Sequence, residues 1–328
     1  MEGKKENEKY EKFAAGVVVL RAQDANWNAD FSGWPRKLPE GRFYSTDKAL
    51  KYAIRKYLKE MKNEKVLMWR VYDEEGDVGN LVAMLEKNDI KSTDKDLVKK
   101  VLGCIDIRLF GGTFTLKENN FSITGPVQIT YGVDVWGNGK TYVSQIQSPK
   151  YEGGVEGAEE AKPKYGSQST LGSEVRLTEA HYAFDFTINP NNLSKDSFIN
   201  SVVGQNGINI SFDDIQSLKE SFINGPNYVT STTKTGVFTE LLIFAEFDMR
   251  NNLVPLTPIL KNGIKVGNDK ENNGLKREID IENVVKVLSG LGAKEIEVYY
   301  NPDLAEIKDE SEIKKLGNVK IKKIKVSS

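Results

Sequence analysis

Lys48, Lys51, Arg55, Lys59 and Lys62 follow one another at steps of 3, 4, 4 and 3 residues. On a helix that spacing lays the cations along one stripe. Just ahead of them Ser45 and Thr46 offer capping hydroxyls, and Asp47 suits a first helical turn. Lys48 conflicts with the helix dipole, because a cation in the first turn faces its positive end. A docked anion resolves the conflict, since free N–H groups, hydroxyls and ammonium groups together hold a phosphate. The plainer reading is a solvated basic face, which is the commoner use of such a stripe.

Other stretches add to this chemistry. Gln23 to Gly41 forms a long connection, QDANWNADFSGWPRKLPEG, of a length that is usually functional or ordered by a partner. Trp27, Phe31 and Trp34 stand near Arg36, Lys37 and Arg42, a mixture suited to base stacking and phosphate contact. Equally, the aromatics can pin the loop to its own core. Phe110 leads into Gly111 and Gly112, which implies backbone passing close to a ligand or a neighbouring chain, or else a simple tight turn.

Catalytic constellations are weak. One histidine, His181, and one cysteine, Cys104, argue against a zinc site or a Cys/His or Ser/His unit. TSTTKTG at 230–236 lacks phosphate-loop spacing, and SGLGAKE near 289 follows a helix instead of a strand. Asp106, Asp134 and Asp185 show no sign of converging. Asp24 and Asp30 lie in the first loop, where such residues usually cap turns. No enzyme, metal site or cofactor is expected.

The elements that must position these residues follow from pattern. Leu50, Ala53, Ile54, Tyr57, Leu58 and Met61 give the basic helix its apolar face. Strands are expected at Phe13–Ala22, Val66–Val71, Val101–Phe110, Phe121–Gly132, Ala180–Ile188, Glu240–Phe247 and Glu295–Tyr300. Further helices are expected at Leu81–Asn88, Thr93–Leu102, Phe212–Phe222 and Ile279–Leu291. The Lys-rich end, KIKKIKV, alternates as an edge strand does. Asn138 to Thr178 is rich in Gly, Ser, Gln and Lys and reads as a long loop or extended hairpin ordered by a partner. With 64–100 set aside as an insertion, the core order is strand, helix, strand, strand, helix, strand, the ferredoxin-like arrangement of an α+β fold.

The 328 residues carry 46 basic and 47 acidic side chains, so the chain is no general coat for nucleic acid, yet a local basic groove is compatible. Arg36 to Lys62 supplies it, with nine Lys or Arg against three Asp or Glu. No apolar run is long enough to span a bilayer, no signal-like segment follows the polar start, and the lone cysteine suits a reducing compartment, so a cytoplasmic, membrane-free protein is expected.

Several segments together resemble the Cascade backbone subunit of type I CRISPR–Cas systems, the seventh Cas family of the RAMP superfamily, and most nearly its I-B branch. DIRLFGGTF at 106–114 with ITGPVQITYG at 123–132 is similar to that branch's paired signature. STDKALKYAIRKYL at 45–58 is similar to its first helix, and STLGSEVRLTEAHYAFDFTIN at 169–189 to the segment closing its thumb. The likeness runs over roughly 13–250. The family's Asn-Pro-Asn-Gly-Asp loop stands here as Asn26-Trp27-Asn28-Ala29-Asp30.

The resemblance implies an RRM-like palm over 13–255, helical fingers at 64–100 and a thumb hairpin at 138–178; 256–328, which the resemblance does not cover, reads from its pattern as an α/β extension. It implies an antiviral role in which copies stack head to tail on one crRNA, beside other Cascade subunits, and present it for pairing with target DNA. RNA contacts would then involve Arg36, Lys37, Arg42, Ser45, Thr46, Lys48, Lys51, Arg55, Phe110, Gly111, Gly112, Gln128, Leu171 and Gly172. The alternative is a type III-like backbone subunit that cleaves target RNA with Asp24 or Asp30.

Overall fold

The computed structural model describes residues 8–117, 119–149, 169–204, 208–248, 256–267 and 275–324. The first strand, β1 (Phe13–Ala25), is apolar on both faces as far as Leu20 and lies at the centre of the large sheet. It is followed by β2 (Tyr44–Ser45) and the basic helix α1 (Asp47–Glu60). Three short helices come next, α2 (Leu81–Glu86), α3 (Leu97–Leu102) and α4 (Ile105–Phe110). A small hairpin of β3 (Gly111–Thr115) and β4 (Asn120–Thr124) leads to β5 (Val127–Ile129) and β6 (Gly132–Asp134). The arm is built from β7 (Thr141–Pro149) and the first part of β8 (Ser169–Ile188). Helices α5 (Asn191–Ser194), α6 (Ser197–Val203) and α7 (Phe212–Tyr228) precede β9 (Val237–Phe247). The C-terminal part holds α8 (Leu256–Gly263), β10 (Lys265–Val266), β11 (Arg277–Asp280), α9 (Glu282–Gly290), β12 (Glu295–Tyr300), β13 (Ala305–Ile307), α10 (Glu310–Lys314) and β14 (Val319–Lys323).

The large sheet runs β14-β12-β9-β1-β8-β6-β2 and is mixed, with β12 and β14 parallel and the other neighbours antiparallel. Period-two alternation divides β1 between two cores. Ala14, Val18, Leu20 and Ala22 pack with Leu50, Ile54 and Leu58 of α1 and with Leu218 and Phe222 of α7. Ala15, Val17 and Val19 pack with Leu260 of α8 and with Val284, Val285 and Leu288 of α9. Both faces of the sheet are therefore covered, and an open sheet-face platform for bases is not available.

The C-terminal elements are joined to the same sheet. Besides adding β12 and β14, they are pinned by charge. Lys261 on α8 lies 3.2 Å from the buried Asp185 of β8. Arg277 on β11 donates from Nε and Nη2 to Glu179 of β8 at 3.0 and 2.5 Å.

Several expected elements differ. Val66–Val71 is irregular instead of a strand, because Leu67 and Met68 donate their N–H groups to the Asp106 carboxylate instead of a ladder. The run from Val101 to Phe110 is the end of α3 followed by α4, not a strand. A short run buried all round has no period to separate the two states. The α3 helix begins at Leu97, four residues later than expected, since Lys91 to Asp94 closes a turn on the Asp94 carboxylate. Phe121–Gly132 splits at Gly125-Pro126, which sends β4 to the small hairpin and β5 to the large sheet. Arg277–Asp280 is a strand, so the helix expected from Ile279 starts at Glu282.

Candidate nucleic-acid interface

Thr46 is the N-cap of α1, where its side chain accepts from the Ala49 N–H, and it also donates to Asn28 Oδ1 at 3.1 Å. The Thr46 N–H reaches the same oxygen at 2.9 Å, so Asn28 ties the helix start to the first loop. Ser45 is fully buried beside it and points its hydroxyl at the Thr46 carbonyl, away from solvent. Leu50, Ala53, Ile54 and Leu58 face the core as their spacing requires.

The basic stripe is partly matched by acids, one on the helix itself and two on other elements. Lys51 pairs with Asp47 at 3.0 Å, and Lys62 with Glu220 at 2.8 Å. Arg55 donates from Nε to Asp106 Oδ2 at 3.0 Å, and Asp106 is fully buried. Lys51 and Arg55 each also lie 5.4 Å from the centre of the Phe110 ring. Lys48 is the most available cation, with 87% of its side chain exposed and only a loose 3.8 Å approach to Asp47.

Phe110, Gly111, Gly112 and Gln128 meet at a corner below α1. Gly111 has φ +73°, and a Cβ there would lie 2.0 Å from the Ile123 carbonyl oxygen. At Gly112 a Cβ would first meet Met68 at 3.2 Å and Phe114 at 3.3 Å. The close approach is thus within the chain. Gln128 donates to the Gly125 carbonyl at 2.7 Å across the same corner. Arg108 completes the support with two bonds to Asp214 of α7, at 3.0 and 2.7 Å. Asp106 and Arg108 thereby fasten α4 to both helices of the first core.

In the first loop the aromatics divide. Trp27 is buried, whereas Phe31 and Trp34 are exposed. Arg36 donates to the Ala29 carbonyl, Lys37 covers the Phe43 ring at 4.7 Å, and Arg42 pairs with Glu40 at 2.8 Å. Asp30 Oδ1 accepts from the Ser32 and Trp34 N–H groups, so this carboxylate caps its own turn. Asp24 has φ +48° and accepts from the Tyr142 hydroxyl. Leu171 and Gly172 lie on the arm, in register with Gln147 and Ile146 of β7. The middle of the expected thumb, 150–168, lies outside the described residues.

Some partners were not foreseen. Tyr52, half exposed on α1, stacks on Trp69 with ring centres 5.4 Å apart and planes at 8°. Its place one turn from Lys48 was the available signal. Asn28 and Lys140 carried no motif. His181 is buried between Glu240 at 2.6 Å and Glu179 at 3.0 Å. Burial alone would lower its pKa, but the two carboxylates override that and raise it to about 9.

A family model described as CRISPR-associated protein Cas7 matches residues 12–286. The fold is similar to a chain of a "CRISPR RNA-guided surveillance complex, pre-nicking", with a TM-score of 0.51 and 11% identity over 93% of this chain and 100% of that one. A chain of another "CRISPR RNA-guided surveillance complex" aligns with a TM-score of 0.48 and 12% identity, over 92% of this chain and 99% of that one. No curated protein sequence matches. Among the described residues, no helix is long and apolar enough to cross a membrane.

Proposed function

The chain belongs to the CRISPR-associated Cas7 family, and from that premise we propose that it is a non-catalytic crRNA-binding backbone subunit of a type I interference complex. Copies stack head to tail along one guide RNA, beside other Cascade subunits, and present the guide for pairing with target DNA. The protein reads backbone and shape, while base pairing reads sequence. The observation that carries this reading is the family match over most of the chain, 12–286.

The strand order and the covered sheet faces support the finer assignments. Strands β1, β6, β8 and β9 with α1 and α7 follow the ferredoxin-like order and form the palm. The segment 64–100 forms the fingers, and the β7–β8 arm is the root of the thumb. Because both sheet faces are covered, RNA follows the loops and the arm instead of the sheet. Arg36, Lys37, Arg42, Thr46, Lys48 and Lys51 supply backbone contacts. Ser45, Arg55, Phe110, Gly111, Gly112 and Gln128 shape the support beneath them, and Leu171 and Gly172 lie where the arm meets RNA.

The test is direct. Protein purified from cells expressing its own CRISPR array should show a raised 260/280 nm absorbance ratio, and sequencing the bound RNA should return repeat-derived guides. Nucleic-acid-free protein that also fails to bind added guide RNA would refute the reading.

A further inference from the structure

A hollow of about 500 Å³ lies between the first loop and the turn that opens the β7–β8 arm, lined in part by Lys37, Glu40, Arg42, Gly137, Gly139 and Lys140. We propose that it seats a backbone phosphodiester of the bound RNA, with Lys140 as its principal cation. The proposal rests on the RNA-binding reading above and adds a site at the root of the arm.

The two walls are held together. Asp134 donates its N–H to the Phe43 carbonyl at 2.9 Å, which joins the turn to the loop. On the loop side, Leu38 donates to the Arg42 carbonyl at 2.8 Å and closes the segment carrying both cations. On the turn side, the Asp134 carboxylate is buried and accepts from the N–H groups of Trp136, Gly137 and His181. That carboxylate is saturated by backbone donors. Gly137 adopts φ +76°, and a Cβ on Gly139 would lie 2.0 Å from the Glu179 carbonyl oxygen, so the turn lies flat against β8.

Lys140 is fixed at its backbone and open at its tip. Its N–H donates to Thr178 Oγ1 at 3.0 Å, and its carbonyl accepts from the Thr178 N–H at 2.8 Å. The residue is exposed, and its ammonium has no acidic partner among the described residues. The N–H groups of Asn138 and Gly139 also have no acceptor among the described residues. Opposite them, Arg42 and Glu40 form a pair in which both side chains are about half exposed, at 52% and 50%. Such a pair contributes little, and the guanidinium exchanges readily onto a phosphate, which it binds through two parallel hydrogen bonds.

The donor set selects the ligand. Three cations and backbone N–H groups match an anionic oxygen cluster. Phe43, the aromatic in the lining, is buried beneath the Lys37 ammonium, so no ring face is offered to a base. A group read by charge alone, with its sugar and base directed outward, is a phosphodiester in a strand.

The experiment measures binding of the full chain to a labelled single-stranded RNA by fluorescence anisotropy across a salt series. Lys140→Ala keeps its backbone bonds to Thr178, and circular dichroism checks the fold. Its affinity should fall several-fold for every RNA sequence, with the log–log salt slope reduced by about 0.7, the value for one phosphate on a single strand. Lys140→Arg should restore both quantities. Unchanged affinity and slope in Lys140→Ala, while Lys48→Ala weakens binding, would overturn the seat and leave the RNA reading intact. Wild-type protein that binds no RNA even at low salt would instead remove the reading beneath it. Adenosine monophosphate and inorganic phosphate serve as competitors. Lys140-dependent binding of either one as tightly as the RNA would show a free-nucleotide or phosphate site and overturn the assignment.

Discussion

Arg55 lies in the middle of the basic stripe, yet its guanidinium is committed inside the protein. It meets a fully buried carboxylate at 3.0 Å, and that carboxylate also holds the N–H groups of Leu67 at 2.8 Å and Met68 at 3.0 Å. Removing one member of a buried pair costs about 3–5 kcal/mol when the other charge is left bare. Here two backbone donors stay on Asp106, so the loss is nearer that of one charge-assisted hydrogen bond, about 1.5–3 kcal/mol. The contact with the Phe110 ring adds about 0.5–1 kcal/mol. Arg55→Ala should therefore destabilise the RNA-free protein by about 2–4 kcal/mol. Urea unfolding should show a lower midpoint at an unchanged slope. A double-mutant cycle with Asp106→Asn should give a coupling of about 1 kcal/mol or more. A wild-type urea midpoint in Arg55→Ala, together with a salt slope for RNA reduced by about 0.7, would show that Arg55 faces phosphate and that this reasoning is wrong.

Lys48→Ala should reduce the RNA salt slope by about 0.7 while leaving the melting temperature in place, and a lowered melting temperature with full binding would contradict it. His181 has a folded pKa of about 9 against an unfolded value near 6.5, so its charge stabilises the fold fully below pH 6.5 and loses that effect as pH rises through about 9. Urea midpoints of the wild type should fall across that window and those of His181→Gln should fall less; parallel curves would refute the assignment. Gly111→Ala should lower stability by about 2 kcal/mol or more in thermal melts, through its positive φ and the Ile123 carbonyl, while Gly112→Ala meets only side chains and should lose less than about 1 kcal/mol. Arg277→Ala should loosen the C-terminal cover and speed limited proteolysis there, and an unchanged digestion pattern would show that apolar packing alone holds it.

Patterns set by near neighbours were legible. The apolar positions of α1 recur at helical spacing, and Leu50, Ala53, Ile54 and Leu58 are buried, whereas Tyr57 is half-buried and Met61, at the helix end, is exposed. A Val-rich run gave β1, a dense apolar run gave β9, and alternating lysines gave the edge strand β14. The core order was legible only in part, because Val101–Phe110, expected as a strand, is helical, and the three residues of β6 are too few to show a period. The exposed Phe31 and Trp34 could not be told from the buried Trp27, since side-chain type is the same and only the surrounding walls differ.

The sequence alone determined that an amphipathic helix with a basic stripe follows a first strand. Tertiary structure decided which of those charges are free. Asp106 lies 51 residues from Arg55, and Glu220 lies 158 from Lys62, so these pairings exist only once α4 and α7 close on α1. Lys140 meets Lys37 and Arg42 for the same reason, when the root of the arm folds against the first loop. Local periodicity records which face of an element avoids water, whereas charge pairing depends on what distant chain that face meets.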